Sequence, residues 1–330
     1  MDPRSLLDDA LEATVVASFS SLGIRIRRTV FGWVDPPDGA LIGRTVLITG
    51  PTSGLGRAAT DELAALGARV VLVGRNEERL AGVRAALVAR HGEDRFPMVV
   101  ADMGSIGSVR DAVAEVIDRE ARLDVLIDNA GAIHAERTDG PDGIESTLAT
   151  LVVGPFVLIA GLLPLLRRTE QARVISVTSG GQYAQRLDLD DLQFRRGTYD
   201  GTRAYARAKR AQVALVREWA RRLRLTGIRV NAMHPGWADT PGLAEALPAF
   251  QKLMQPILRS PTEGIDTLIW LATAPGAGGP DGQLYHDRRP RPFDRVPGTR
   301  LSANDRRRLW DAVVDLADVP DPAPDRGGPN

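Results

Sequence analysis

The chain of 330 residues contains no cysteine and only four histidines. Without cysteine there is no disulfide and no thiolate metal site, a composition that suits the cytoplasm. The histidines do not have the spacing of metal ligands, and we interpret them as structural or surface residues: His91, His134, His234 and His286. The sequence therefore predicts no metal site.

Net charge and long apolar runs are also lacking. The 42 basic and 42 acidic side chains cancel, so charge gives no argument for a nucleic acid or for an acidic partner. No uninterrupted run of 18 or more apolar residues occurs, and we expect no membrane-spanning helix. Asp2, Asp8 and Asp9 argue against a secretory signal peptide. The remainder is ordinary globular composition, and the length fits one domain of about 250 residues with extensions at both ends as well as it fits two domains.

Strand-like and helix-like segments alternate from Thr45 onward. This alternation predicts an α/β protein with a Rossmann-type, doubly wound parallel sheet of about seven strands and helices on both faces. Strands are expected near 45–49, 69–73, 96–101, 124–128, 173–178, 228–234 and 282–286. Helices are expected near 55–66, 77–90, 106–119, 144–167, 202–225 and 262–273. Pro155 and Pro164 should kink or end the fifth of these helices.

The composition divides the chain into residues 1–40, a catalytic domain at 41–290 and an extension at 291–330. The first segment begins with a helix cap, Asp2-Pro3. An apolar stripe at helical spacing follows it: Leu7, Leu11, Val15, Phe19, Leu22 and Ile26. We favour packing of this stripe on the main domain or on a partner subunit. The alternative is weak peripheral contact of residues 1–35 with an anionic membrane, because arginines lie near the end of the helix.

Four segments lie outside the regular alternation. Residues 240–260 combine prolines with apolar side chains and are interpreted as a mobile lid over a substrate, whereas 182–200 form an Arg-rich insertion. Ser302 begins a capping box for a last helix near 303–317, and 319–330 are expected to be disordered.

A glycine-rich turn follows the first predicted strand and precedes the first helix of the domain. Gly50 allows the tight turn, Gly54 lets the backbone approach a pyrophosphate, and Gly56 lets helix and strand pack closely. The start of the helix then faces the phosphates. The alternative is a plain strand-to-helix turn, but the flanking strand and helix favour a dinucleotide site.

A serine and a Tyr-x-x-x-Lys box form the second group of candidate residues. Tyr205 and Lys209 lie one helical turn apart on one face. We expect the ammonium to lower the pKa of the phenol, which would make Tyr205 a proton donor or acceptor near neutral pH. Ser179 ends an apolar run and can hold a substrate oxygen. By itself the Tyr–Lys pair is a weak signal, since such pairs also occur on ordinary surface helices.

Together these motifs resemble the short-chain dehydrogenase/reductase family over roughly residues 43–290. The turn has the form Thr-Gly-x-x-x-Gly-x-Gly rather than Gly-x-Gly-x-x-Gly, and Asp128-Asn129-Ala130-Gly131 is similar to the family's Asn-Asn-Ala-Gly motif. The Ser179 segment, the Tyr205–Lys209 box and the Pro235-Gly236-x-x-x-Thr240 turn follow in the family's order. A subgroup likeness extends to Asp200-Gly201-Thr202 and to 234–242.

The resemblance implies a nicotinamide-dependent oxidoreductase acting on an alcohol/carbonyl pair of a small molecule, with Ser179, Tyr205 and Lys209 as catalytic residues. It also implies a homodimer or homotetramer. The cofactor-binding residues it implies, together with those of the glycine turn, are Gly50, Thr52, Ser53, Gly54, Leu55, Gly56, Asp102, Asn129, Ala130, Gly131, Tyr205, Lys209, Pro235, Gly236 and Thr240. An apolar pocket wall, and hence a hydrophobic substrate, is suggested by residues that can equally be plain core: Trp237, Leu243, Leu247, Phe250 and Met254.

The end of the second strand bears on the choice of cofactor. An acidic residue there would bind the adenosine ribose 2′-hydroxyl and favour NAD. The sequence has Val73-Gly74-Arg75 instead, and a guanidinium can pair with a 2′-phosphate. With help from Arg57, Arg75 predicts a preference for NADP(H), with NAD(H) as the alternative.

Leu151 departs from the family pattern. It stands where the resemblance implies an Asn, whose backbone carbonyl helps to hold a water that links the lysine to solvent. Leucine keeps the carbonyl, so this relay survives if the local helix kink is unchanged. The alternative is a weakly active or non-catalytic nucleotide-binding protein with a sensor or interaction role.

Overall fold

The computed structural model describes residues 2–92, 94–275 and 281–323. In this part of the chain the strands form one sheet in the order β3-β2-β1-β4-β5-β6-β7-β8, parallel except for β8. The strands are β1 Thr45–Thr49, β2 Arg69–Gly74, β3 Met98–Val100, β4 Val125–Asp128, β5 Arg173–Val177, β6 Arg229–Met233, β7 Leu284–His286 and β8 Arg289–Arg291. The predicted Rossmann-type sheet is confirmed.

The eighth strand was not predicted, and its turn explains why. β7 and β8 form an antiparallel hairpin whose two turn residues, Asp287 and Arg288, both have left-handed φ values of 53° and 56°. Two-residue hairpin turns of this kind usually contain Asn-Gly or Asp-Gly, which makes them recognisable in a sequence. Here neither turn residue is glycine, and Pro290 inside the strand argues against a strand unless it lies at an edge.

The helices occupy both faces of the sheet, as predicted. They are α1 Pro3–Ala13, α2 Val15–Phe19, α3 Ser21–Phe31, α4 Gly54–Ala65, α5 Glu77–His91, α6 Ile106–Arg119, α7 Ser146–Leu148, α8 Gly154–Leu166, α9 Gly201–Leu223, α10 Pro241–Ala246, α11 Pro248–Met254, α12 Pro261–Thr273 and α13 Ala303–Ala317. The predicted capping box at Ser302 is present, with Asp305 as its partner.

Two hydrophobic cores lie on opposite faces of the sheet because successive strand side chains point to opposite faces. Val46 and Ile48 of β1 belong to the core that includes residues of α4, α5 and α12. Leu47 belongs to the other core, which includes residues of α6, α8, α9 and α13. In that second core Trp310 of α13 packs edge-on against Phe156 and Trp219.

No membrane-spanning helix was expected, and one helical segment of the described residues bears on that expectation. Ser146–Leu166 forms 21 helical residues that are long and apolar enough by length and composition, although no uninterrupted apolar run reaches 18 residues. Most of this segment is buried inside the protein, as is typical of a core helix. A π-helical stretch, Ala149–Val153, interrupts it just before Pro155, whereas Pro164 lies within α8 without ending it.

The N-terminal segment packs on the main domain, but only part of the predicted apolar stripe, Phe19 above all, is buried in the contact. It forms three helices instead of one, and Leu7, Val15 and Leu22 of the stripe are exposed. The buried side chains include charged ones, Asp8 and Arg27. The period-based prediction was right about packing on the main domain and wrong about its means, because it assumed one helix whose apolar side chains provide the whole contact.

A buried ion network joins this segment to the end of the sheet. Arg27 donates from Nε to Asp8 at 2.6 Å and from Nη1 to Asp287 at 2.6 Å. Arg259 reaches Asp287 at 2.6 Å, and Arg291 reaches Asp8 at 2.8 Å. Burial raises the pKa of Asp8, but Arg291 and Arg27 outweigh it and hold that pKa below its usual range. Asp8 therefore stabilises the fold at neutral pH, and this contribution is lost as the pH falls through the lowered pKa.

We predict that Arg27→Met lowers the free energy of unfolding by about 3–5 kcal/mol, because it leaves two buried carboxylates with one partner fewer. Chemical denaturation at pH 7 measures the change. Arg25→Met is the matched control, since its bond to Glu263 is made by a side chain that is 70% exposed, and its expected cost is below about 1 kcal/mol. Equal effects of the two substitutions would contradict the importance of the buried network.

Candidate active site

The glycine turn between β1 and α4 is built by close backbone approach. Gly50 has a left-handed φ of 69°, which favours glycine. A Cβ added to Gly56 would lie 2.0 Å from the Gly50 carbonyl oxygen and 2.5 Å from Asn129 Nδ2. Even an alanine therefore does not fit at position 56 without movement of the turn. The turn leaves Ser53 exposed at the N-terminus of α4, and Thr52, Gly54 and Leu55 half-buried around it.

Asn129 connects the end of β4 to this turn. Its Nδ2 donates to the carbonyl oxygens of Thr49 at 2.9 Å and Gly50 at 3.3 Å. The backbone N–H groups of Asn129 and Ala130 both donate to Thr49 Oγ1, at 3.0 and 2.9 Å. The predicted residues of the glycine turn and of the Asp128–Gly131 motif thus meet at the carboxyl ends of neighbouring strands, where ligands bind in open α/β sheets.

The turn after β6 approaches the glycine turn. Thr240 Cβ lies 3.4 Å from the position that a Cβ on Gly54 would occupy. Thr240 also caps α10 by accepting from Leu243 N at 3.2 Å. Gly236 has a φ of 73°, and Pro235 accepts from Arg259 through its carbonyl oxygen at 3.2 Å. The structure therefore brings the Pro-Gly-x-x-x-Thr turn next to the glycine turn.

Two side chains predicted to contact the cofactor, Arg75 and Asp102, lie farther along the same edge of the sheet. Arg75 follows β2, is exposed, and forms no ion pair within the described ranges. Asp102 is exposed after β3 and accepts from Gly104 N at 2.9 Å, as a turn residue does. Arg57, considered as a helper of Arg75, pairs instead with Asp61 at 3.1 Å.

Ser179 and Tyr205 come together as predicted. Ser179 caps the 3₁₀ helix Gly180–Ala184 and accepts from Gly181 N at 3.3 Å. The pKa of Tyr205 is raised to about 12 by burial, which a hydrogen bond with Ser179 only partly offsets. The prediction that Lys209 lowers this pKa is wrong in this structure. At neutral pH the phenol is protonated, so it can donate its proton.

Lys209 is buried and directs its ammonium away from the phenol. Nζ donates to the Val177 carbonyl oxygen at 2.8 Å and to Gln212 Oε1 at 3.2 Å, and lies 5.7 Å from the centre of the Tyr205 ring. Burial lowers the pKa of Lys209 to about 8, against the opposing effect of Asp128. The ammonium is thus close enough to act beside Tyr205 but is held by other groups.

Leu151 is fully buried in the π-helical stretch, and its Cδ2 lies 3.3 Å from where a Cβ on Gly131 would be. A local backbone irregularity is therefore present at this position, as the predicted relay would require. The neighbouring Thr150 directs its Oγ1 towards Gly104 instead.

Phe19 is a site residue that the sequence analysis placed only in a stripe. Its ring contacts Trp237 edge-on at 5.9 Å between centroids, and a Cβ on Gly180, next to Ser179, would lie 2.5 Å from its Cε2. Trp237 N donates to the Phe19 carbonyl oxygen at 2.8 Å. The N-terminal segment thereby forms one wall beside Ser179. No sequence signal separates Phe19 from an ordinary core residue.

The predicted lid consists of α10, α11 and a 3₁₀ turn at Gln255–Ile257, and none of these has a buried residue. Phe250 of α11 packs edge-on against Trp237 with centroids 5.2 Å apart, whereas Leu253 is exposed.

Within the described ranges no group of three or more His, Cys, Asp or Glu side chains could hold a metal ion.

Comparison with known proteins identifies the class that this site defines. Residues 44–189 match the family model described as short chain dehydrogenase. Dehydrogenase/reductase SDR family member 12 of Bos taurus is 38% identical over 278 residues, which cover 83% of this chain and 86% of the relative. The chain therefore belongs to the short-chain dehydrogenase/reductase family, and it is an oxidoreductase acting on alcohol or carbonyl groups. The subgroup likeness noted at Asp200-Gly201-Thr202 and at 234–242 is confirmed, and the subgroup is the one around member 12.

Two further proteins extend the comparison. A Streptomyces sp. (strain C5) protein assigned as the daunorubicin C-13 ketoreductase is 39% identical over 279 residues, covering 84% of this chain and 93% of the relative. A solved Escherichia coli CFT073 structure, described as a short chain dehydrogenase complexed with NADPH, has a TM-score of 0.62 and 25% identity. That alignment covers 76% of this chain and 99% of the solved one. Neighbours of this kind support a nicotinamide cofactor.

We predict that Gly56→Ala weakens NADPH binding by about tenfold or more, because the added methyl group forces the turn apart at a cost of about 1–3 kcal/mol. Fluorescence titration of the purified protein measures the dissociation constant, and circular dichroism checks the fold. The matched control is Gly82→Ala on the exposed side of α5, where a Cβ meets nothing within 4 Å. Unchanged NADPH binding in Gly56→Ala would contradict the assignment of this turn.

Proposed function

We propose that this protein is an NADP-dependent oxidoreductase that interconverts a carbonyl group and an alcohol on a hydrophobic small molecule, with Tyr205 as general acid/base. The observation that carries the proposal is the meeting of Ser179, Tyr205 and Lys209 at the sheet edge formed by the glycine turn and Asn129. The bound nicotinamide supplies or accepts the hydride.

In carbonyl reduction, Tyr205 donates its proton to the carbonyl oxygen of the substrate. Because burial raises its pKa to about 12, the phenol is protonated at neutral pH and the group is ready to act as an acid. Ser179 donates a hydrogen bond to the same oxygen and stabilises the charge that develops there. Lys209, with Nζ 5.7 Å from the centre of the Tyr205 ring, is proposed to hold the nicotinamide ribose, as the family resemblance implies. In alcohol oxidation the proton moves in the opposite direction between the same groups.

The residues fit the cofactor at three points. The glycine turn and the Pro235–Thr240 turn approach each other, with Thr240 Cβ 3.4 Å from the position of a Cβ on Gly54, and the N-terminus of α4 directs unpaired backbone N–H groups to this side of the glycine turn. Arg75 is exposed at the end of β2, where it can pair with a 2′-phosphate. Asn129 and Gly131 line the floor, and Thr240 is proposed to hold the carboxamide.

A hydrophobic substrate is supported by the aromatic wall. Phe19, Trp237 and Phe250 pack in succession from the serine segment to the lid. Aromatic side chains bury large apolar areas and favour apolar ligands. The Streptomyces relative is assigned to the reduction of a ketone, which agrees with carbonyl reduction at this site.

We predict that Tyr205→Phe lowers kcat for NADPH-dependent ketone reduction by about 10²–10⁴-fold, because the proton donor is lost, while NADPH binding persists. Steady-state kinetics and NADPH titration on the same preparation separate the two effects. Tyr199→Phe is the matched control, since Tyr199 lies in the insertion at 182–200 and its hydroxyl donates a hydrogen bond to Glu145 at 3.0 Å. Substantial turnover by Tyr205→Phe would end the assignment of Tyr205.

The cofactor preference has its own test. Arg75→Gln is expected to weaken NADPH binding by about 10–100-fold, the value of charge-assisted hydrogen bonds to a phosphate, and to leave NADH binding unchanged. Arg90→Gln, at the far end of α5, is the control. Parallel titrations with NADPH and NADH measure all three proteins. Equal affinity of the wild type for both nucleotides would refute the NADP preference.

A further inference from the structure

Lys209 lies at one end of a buried polar chain that continues away from Tyr205. Gln212, one helical turn further along α9, accepts from Lys209 Nζ through Oε1 at 3.2 Å. Its Nε2 donates to Asp128 Oδ2 at the end of β4. All three residues are buried, with exposed fractions of 2%, 4% and 1% for Lys209, Gln212 and Asp128. Side chains from a helix and a strand are therefore linked beneath the catalytic group.

The chemistry of the three groups permits only one arrangement. An ammonium only donates hydrogen bonds, and an ionised carboxylate only accepts them. The Gln212 amide can satisfy both neighbours only with its oxygen towards Lys209 and its nitrogen towards Asp128. The carboxylate thereby fixes the orientation of the amide, and the amide fixes the position of the ammonium.

We propose that Asp128 is the buried counterion of Lys209 and acts through Gln212 as a positioning residue that keeps the ammonium charged and in place beside Tyr205. The proposal rests on the proposed catalytic role of Lys209. The family motif has Asn at this position, and the contacts of the glycine turn do not involve the Asp128 side chain. The proposal therefore also gives a role to this departure from the motif.

The surroundings of Asp128 support a role as counterion. Ser176, its register partner on β5, forms a side-chain hydrogen bond with it, and a small cavity of about 20 Å³ beside it is otherwise walled mostly by apolar side chains, Leu151 and Trp219 among them. Asp128 Oδ1 has no hydrogen-bond partner among the described residues. A carboxylate in such a place is costly unless a positive charge is near, and Lys209 is the charged group that lowers its pKa.

The titration of the pair defines a pH window. Burial raises the pKa of Asp128 to about 6, and burial lowers the pKa of Lys209 to about 8 while Asp128 opposes this. Both groups are therefore charged between these two values. Within the described part of the chain, the titratable groups facing Lys209 are Asp128 from β4 and Tyr205 from its own helix. Loss of the Asp128 charge should lower the pKa of Lys209, so that the ammonium loses its proton at lower pH.

The sequence makes this pKa directly measurable, because the chain has only two lysines, Lys209 and the exposed Lys252. In the full-length protein labelled with ¹³C,¹⁵N-lysine, NMR titration without added nucleotide follows both side chains, with Lys252 as the internal reference. For Asp128→Asn, which keeps the shape but removes the charge, we expect the pKa of Lys209 to fall from about 8 to about 7 or lower.

Two further variants make the test decisive. In Asp128→Asn/Gln212→Glu the carboxylate moves to position 212, in direct contact with Lys209, and the pKa should return to the wild-type value or exceed it. Asp124→Asn removes another buried carboxylate at the opposite end of the same strand, where it accepts from Thr45 N at 2.9 Å, and should leave the pKa of Lys209 unchanged.

An unchanged pKa of Lys209 in Asp128→Asn overturns the proposal, and so does a double variant that fails to fold or to restore the pKa. The alkaline limb of kcat against pH should move with the pKa of Lys209 in each active variant. A merely structural role of Asp128 would lower stability without moving that limb. Because the NMR titration needs no turnover, it distinguishes failure of this proposal from failure of the proposed function.

Discussion

The burial of Lys209 is the constraint on which the candidate site depends. A charged ammonium removed from water has to be compensated locally, and the structure does this with the Val177 carbonyl oxygen, the Gln212 amide and the charge of Asp128. These groups come from β5, α9 and β4. The site therefore exists only when the parallel strands and the helix across them are assembled, so that fold and chemistry are coupled through one side chain.

Features that depend on local pattern could be predicted from the sequence, whereas those that depend on tertiary contacts could not. Seven strands and the glycine turn follow from local patterns, since buried parallel strands form short apolar runs and Gly56 has no room for a Cβ. The pairing of Tyr205 with Lys209 follows from helical spacing. The pKa of Tyr205 did not follow, because it depends on the direction of the ammonium and on burial, and both of these are set by tertiary contacts.

The N-terminal segment shows the opposite case, in which local pattern misleads. Its apolar residues suggested an amphipathic helix, yet buried ion pairs of Arg27 with Asp8 and Asp287 hold it to the domain. Partners separated in sequence by 260 residues leave no periodic signal. The same attachment brings Phe19 beside Ser179. An extension that appeared separate from the domain thus contributes to the proposed substrate wall, and its stability bears on the site.

The most direct test of the central claim, carbonyl reduction at the Ser179–Tyr205–Lys209 site, is to follow the hydrogen itself. Purified protein would be incubated with NADPH deuterated at the transferred position of nicotinamide C4, and with a series of aromatic and long-chain ketones, and the alcohols analysed by mass spectrometry. The account predicts one deuterium on the carbinol carbon of a hydrophobic alcohol, formed by the wild type and lost with Tyr205→Phe. Labelled product formed equally by Tyr205→Phe, or no labelled product from any ketone with NADPH bound, would contradict it.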